Sequence, residues 1–251
     1  MPSLTKLIDF CNKRLSIDTI KDFHGSLNGL QVENNGRVSK VGAAVDAGLV
    51  PFQMASKKGI DFLIVHHGLF WTPPTPFTGV NYEKIKHCID HNLAVYASHL
   101  PLDCHREIGN NAILASKLHL SPQGTFLNYE GHDIGLLTKY TETRDDLRAS
   151  LQNIFPNGII RMEFGPERPK KVAILTGSGQ SAFSEIEKHK VDTFITGELK
   201  QNHFNLAQEM NLNVYTCGHY ETETFGVKAL AQEVAEAFDL PCEFVDTQCP
   251  L

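Results

Sequence analysis

The run Phe62-Leu63-Ile64-Val65-His66-His67-Gly68-Leu69-Phe70-Trp71 places four apolar residues directly before two histidines and a glycine. A short, continuous apolar run closed by a turn residue reads as a strand buried on both faces, the habit of parallel sheets sandwiched between helices. Working outward, similar runs stand at 38–45, 94–97, 172–175, 193–195, 214–216 and 243–245. Between them the apolar residues recur at helical spacing over 49–58, 82–91, 110–118, 182–188, 203–210 and 223–237, with a further helical stripe at 4–15. Strands alternating with helices predict an α/β fold of α/β/α layers with mostly parallel sheets.

The rhythm changes in the middle. Ser121-Pro122-Gln123-Gly124 reads as a turn, 132–139 as a strand and 143–154 as a helix, before Phe155-Pro156-Asn157-Gly158 turns the chain again. The apolar run at Val172 then restarts an α/β unit. The pattern predicts two α/β domains, 1–125 and 126–251, with room for the last strand and helix to return to the first. No low-complexity linker separates them.

Composition narrows the function. The 251 residues carry 23 Lys and Arg against 29 Asp and Glu, a formal charge of −6. Nucleic acid and anionic membrane both demand concentrated positive charge, so neither is the expected partner. No apolar run approaches the roughly 20 residues of a membrane span, and the first ten residues, MPSLTKLIDF, lack the pattern of a signal peptide. The expected setting is the cytoplasm. The six cysteines show no C-x-x-C spacing and read as buried thiols.

The chemistry gathers at strand ends, where ligands bind in open α/β sheets. After FLIV come His66 and His67; after AVYA come His99 and Asp103. TFIT is followed by Gly197 and Glu198, with His203 further on, and VYTC by Gly218, His219 and Glu223. Imidazole and carboxylate are the ligands of divalent transition metals. Adjacent histidines on a regular strand face opposite ways, but where a strand ends and turns they can serve two neighbouring ions. Thr222 reads as a helix cap, which starts the following helix near Glu223 and leaves His219 in the loop. Gly177-Ser178-Gly179 follows a strand and precedes a helix, so its amides are positioned for an anion or simply for a tight turn. His87 and His91, one helical turn apart without an intervening Glu, read as a solvated helix face.

The segments NGLQVE (28–33), HHGLFW (66–71), SHLPLD (98–103), GNN (109–111), ITGE (195–198) and GHYETE (218–223) together resemble the Nif-three-like family. Its members are often named GTP cyclohydrolase I type-two homologues. The resemblance runs in order along nearly the whole chain. It implies two interlocked α/β/α domains, a toroidal homohexamer and a dinuclear metal centre in each subunit. The family's ligands fall on His66, His67, Asp103, His219 and Glu223, with His99 and Glu198 as neighbours of the centre. Two divalent ions per subunit follow, of a kind (Zn, Fe, Mn, Ni or Co) that His and carboxylate donors do not distinguish. The implied activity is metal-dependent hydrolysis of a small molecule, a purine nucleotide among the options, with Phe70 or Trp71 stacking on the base and the Gly177 loop near phosphate. The alternative is a non-catalytic, metal-dependent ring scaffold.

Overall fold

A computed structural model describes residues 1–71 and 73–251. The chain divides into two compact units. The first holds Met1–Ile108 and Gly226–Gln248, the second Gly109–Phe225 and Cys249–Leu251.

In the first unit, α1 (Leu4–Leu15), β1 (Gly29–Val32), β2 (Val41–Asp46), α2 (Leu49–Lys57), β3 (Phe62–His67), α3 (Val80–Asp90), β4 (Ala94–Ala97) and α4 (Leu100–Asp103) follow in order. Its sheet runs β1-β4-β3-β2-β11, where β11 (Cys242–Phe244) comes from the far end of the chain. All pairs are parallel except β1 with β4. Strand period decides the layers. Val41, Ala43, Phe62, Ile64, Ala94 and Tyr96 point to one face and pack with Leu7, Cys11 and Leu15 of α1 and with Val227, Leu230 and Val234 of the last helix. Their neighbours Ala44, Leu63, Val65, Val95 and Ala97 point to the other face, against Phe52 and Ala55 of α2 and Cys88 of α3. Each fully buried Leu, Ile, Val or Phe stabilises the sandwich by about 1.5–3 kcal/mol. Gly42 makes room for it: a Cβ there would lie 2.7 Å from Ile60.

The second unit contains α5 (Asn110–Lys117), β5 (Ser121–Tyr129), β6 (His132–Lys139), α6 (Arg144–Ile154), β7 (Ile160–Glu163), β8 (Lys171–Ser178), α7 (Phe183–Lys188), β9 (Thr193–Glu198), α8 (His203–Glu209) and β10 (Asn213–Thr216). Its sheet runs β5-β6-β8-β9-β10-β7, parallel only at β8-β9 and β9-β10. The helix α9 (His219–Phe238) begins among residues of the second unit and ends among those of the first.

Two sequence expectations change here. Ser121–Gly124 is not a turn but the start of edge strand β5, which pairs with β6 through a register shift between Pro122 and Gly124. An edge strand tolerates Pro because its outer N–H needs no partner. The turn lies instead at Glu130 and Gly131, both at positive φ, the conformation of tight hairpins. The units also part at Ile108, before α5, rather than at 125. The buried Asn111 explains this: its side chain donates to the Ile134 carbonyl of β6 at 2.8 Å and accepts from the Thr176 amide of β8 at 2.8 Å. That fixes α5 to the second sheet. Among the described residues no helix is long and apolar enough to cross a membrane.

Candidate metal-binding sites

The carboxyl ends of β2, β3 and β4 bring Asp46, His66, His67 and Ser98 side by side, because parallel strands end together. His66 is fully buried, and its Nδ1 lies 2.9 Å from the Ser98 carbonyl oxygen. A carbonyl only accepts, so Nδ1 carries the proton and the lone pair of the neutral ring sits on Nε2. The Nδ1 of His67 lies 2.8 Å from Asp46 Oδ1, and an ionised carboxylate imposes the same tautomer. Asp103, at the end of α4, brings Oδ2 to 3.4 Å from His66 Nε2. Two donors on one ion at about 2.1 Å each are about 3.4 Å apart in tetrahedral geometry. The pair therefore has the spacing of two ligands on a shared cation.

His99 joins them. One ring nitrogen from each of His66, His67 and His99 lies within 4.8 Å of those of the other two, and the ring centroids are 4.9, 4.9 and 5.7 Å apart. His99 is aimed by Asp22, a buried carboxylate 2.8 Å from its Nδ1. Asp22 also accepts from the Phe23 amide, the Asn28 side chain and the Leu100 amide. Burial raises the Asp22 carboxyl pKa, but the His99 bond and charge, with Asn28 and the Leu100 amide, outweigh it and hold the group below its ordinary value. Asn28 Oδ1 in turn accepts the His99 amide at 2.8 Å. Trp71 forms an edge of this cluster, its ring 6.1 Å from His67 and 5.2 Å from His99, and its indole N–H donates to the Gly68 carbonyl.

The second unit builds its own donor pair. The helix α9 starts at His219, four residues earlier than the sequence pattern suggests, so His219 and Glu223 share a face at i, i+4. Thr222 does not cap it. Its hydroxyl donates to the His219 carbonyl and accepts the Gly177 amide, tying the end of β8 to the first turn of the helix. His219 Nε2 lies 3.2 Å from Glu223 Oε1, again the spacing of two ligands on one ion, and its Nδ1 lies 3.1 Å from Glu198 Oε1. The hydrogen bond to Glu223, opposed by burial and aided by both carboxylate charges, lifts the His219 pKa to about 9. Two glycines permit this approach. A Cβ on Gly177, at φ +67°, would lie 2.2 Å from Glu223 Oε1; one on Gly197 would lie 2.5 Å from the Gly177 carbonyl.

Other sequence candidates take different roles. The Gly177 and Gly179 amides are donated to Thr222 Oγ1 and the Glu198 carbonyl, so they do not form an anion cradle. His203 is buried at the start of α8, its ring 4.7 Å from Phe183 and its Nδ1 on the Lys200 carbonyl: it packs the core. His87, on α3, and His91, just past its end, stack 3.9 Å apart, with His87 on Ser56 Oγ. Cys217 lies in the core and burial pushes its thiol up to about 12, while Cys104 is also buried. Sequence reasoning missed Asp22 and Asp46. The signal for both is faint, an acidic residue that tertiary structure alone brings against a strand-end histidine.

This architecture matches proteins already known. The Duf34/NIF3 (NGG1p interacting factor 3) family profile covers residues 2–250. The chain belongs to that family. A Deinococcus radiodurans relative named GTP cyclohydrolase 1 type 2 homolog is 38% identical over 225 residues, covering 88% of this chain and 85% of its own length. An Archaeoglobus fulgidus relative of the same name is 38% identical over 244 residues, covering 97% and 98%. Among solved structures, the protein TTHA1606 from Thermus thermophilus superposes with a TM-score of 0.88 at 36% identity, covering 99% of this chain and 100% of that one. A protein described as ybgI, of unknown function, superposes with a TM-score of 0.91 at 32% identity over 99% and 100%.

Proposed function

We propose that this Duf34/NIF3 protein binds two divalent metal ions per subunit through His66, His67, Asp103, His219 and Glu223, and uses them to hydrolyse a small molecule. The observation that supports it most is the orientation of the imidazoles of the first unit. His66 and His67 each commit Nδ1 to an oxygen acceptor, and His66 Nε2 faces Asp103 Oδ2 at 3.4 Å. Holding Nδ1 on an oxygen is how metal-ligating imidazoles are oriented, and at His66 it is joined by that carboxylate oxygen beside the buried Nε2. Nitrogen and oxygen donors of this kind suit Zn, Fe, Mn, Ni or Co.

Five protein donors for two ions leave coordination positions open, which a closed structural site lacks. Bound ions would lower the pKa of a shared water and polarise a C–N, C=N or P–O centre. The protein's part is to fix the donors: β3 sets the two imidazoles, the i, i+4 face of α9 sets His219 and Glu223, and Trp71 supplies an aromatic edge for a ring. The name carried by the curated relatives makes a purine nucleotide the first substrate to test. The family resemblance further supports a homohexamer and a cytoplasmic setting, for which six free cysteines are suited.

Turnover of nucleotides, phosphoesters and cyclic amidines should be screened with added Mn²⁺, Zn²⁺ or Fe²⁺. Metal-dependent turnover that disappears in Asp103→Ala is the expected result. Tight metal binding with no turnover of any class would leave a metal-dependent scaffold and overturn the hydrolase. Sedimentation velocity checks the assembly, with one species at six times the chain mass expected and a monomer overturning the ring.

A further inference from the structure

The five ligands proposed above leave His99 and Asp22 unexplained. We infer that His99, aimed by Asp22, is a third imidazole donor to the metal centre on the first unit. This rests on the metal-binding reading and extends its donor set to His66, His67, His99 and Asp103.

Three observations carry it. One ring nitrogen of His99 lies within 4.8 Å of those of both His66 and His67. Two ligands on one ion are separated by about 3.4 Å in a tetrahedron and by up to about 4.2 Å when opposed, so a modest closure brings them onto one cation. Secondly, His99 repeats the arrangement of its neighbours: Nδ1 is held by an oxygen acceptor, so Nε2 is left to donate. Thirdly, the acceptor is a carboxylate with only 3% of its side chain exposed, and it makes four hydrogen bonds. Burying a carboxylate costs several kcal/mol before its partners offset it. His203, which packs the core, has its Nδ1 on a backbone carbonyl, whereas His99 is held by a buried carboxylate. The α4 helix that starts at Leu100 carries Asp103, so Asp22 positions two donors at once through His99 Nδ1 and the Leu100 amide. Asp22 is thus a positioning residue, and His99 a ligand.

The test is Zn²⁺ binding to the full chain, measured by competition with a chromophoric chelator, together with the visible spectrum of the Co²⁺-loaded protein. His99→Ala should weaken one of the two ions at least about tenfold and leave the other near its wild-type affinity, since losses of about 10–100-fold accompany removal even of groups that only orient a ligand. Added free imidazole should restore affinity and the Co²⁺ bands, which a purely structural role for His99 would not allow. His99→Gln, which keeps a polar side chain in the loop, should show the same loss and guards against misfolding of the Ala variant. Asp22→Ala should weaken the same ion by a smaller factor. Wild-type affinities and an unshifted Co²⁺ spectrum in both His99 variants would overturn the inference while leaving the metal centre standing. Failure of the wild-type chain to take up Zn²⁺ or Co²⁺ would overturn the metal-binding reading itself.

Discussion

The two donor sets of this protein hold their histidines in opposite ways. In the first unit each imidazole gives Nδ1 to an oxygen and keeps Nε2 for donation: His66 to the Ser98 carbonyl, His67 to Asp46 and His99 to Asp22. In the second unit His219 is clamped at both nitrogens, by Glu198 and by Glu223. An imidazole between two carboxylates is held as the cation, and a proton occupies the place a metal would take. An ion entering the second set must therefore displace that proton. Anionic ligands matter more where like charges crowd, and Glu223 is the buried carboxylate of the second set.

The largest expected effect separates charge from shape at that position. A carboxylate offers two oxygens and can join two ions; an imidazole offers one lone pair. Glu223→Gln keeps the side chain's size beside Gly177 but removes its charge. Elemental analysis of folded, dialysed protein should find both ions lost in Glu223→Gln and mainly one lost in His219→Ala. Two ions retained in the Gln variant would place the bridging role on Asp103 or on solvent, and the contrast drawn between the two sets would fail.

A second effect tests how tightly the second set is built. Gly177→Ala places a methyl 2.2 Å from Glu223 Oε1 at a positive φ of 67°. Overpacking of this kind costs about 1–3 kcal/mol, and the first turn of α9 must shift to relieve it. Thermal unfolding of the ion-free protein should show a lower Tm, and metal uptake should fall as well. No such squeeze exists at Gly59, where a Cβ would meet nothing within 4 Å. Gly59→Ala, with φ also positive, controls for backbone strain alone. Equal behaviour of the two variants would show that the glycine serves the chain path and not the approach of Glu223.

Much of this was legible in the residues before the fold was known. Apolar runs such as Phe62–Val65 announced the parallel strands, and the ligand-type residues standing after them pointed to the carboxyl ends. What stayed hidden depends on contacts across the chain. The start of α9 is not legible in the sequence because His219–Thr222 carries no apolar stripe and Thr222 resembles a cap, whereas its hydroxyl serves Gly177. At Gly177 the sequence leaves an anion loop and a tight turn equally open, because a glycine needed for close approach reads like either. The start of edge strand β5 reads as a turn because Pro122 and Gly124 are turn residues that a strand tolerates on a free edge. Asp22 is 77 residues from His99 in the chain, and no local pattern joins them.

The smallest expected effect is a dependence on pH, and it concerns the second set alone. In the ion-free protein His219 has its pKa raised to about 9 from an ordinary 6.5. A group bound more tightly to its proton in the folded than in the unfolded state stabilises the fold at low pH. Its contribution is complete below about pH 6.5 and is lost as the pH rises through about 9. Solvent screens part of it, because the side chain is 28% exposed, so the change in Tm should be modest. With a chelator present, the wild-type Tm should decline between these limits more than that of His219→Gln. The same proton has a second signature. Near pH 7 an ion entering the second set must displace it. Calorimetric titration with Zn²⁺ in buffers of different ionisation enthalpy should therefore report proton release on metal binding, and His219→Gln should abolish that part of it. Release unchanged in the variant would mean that the protons leave from the first set, and that the two sets are alike in the state that meets the metal.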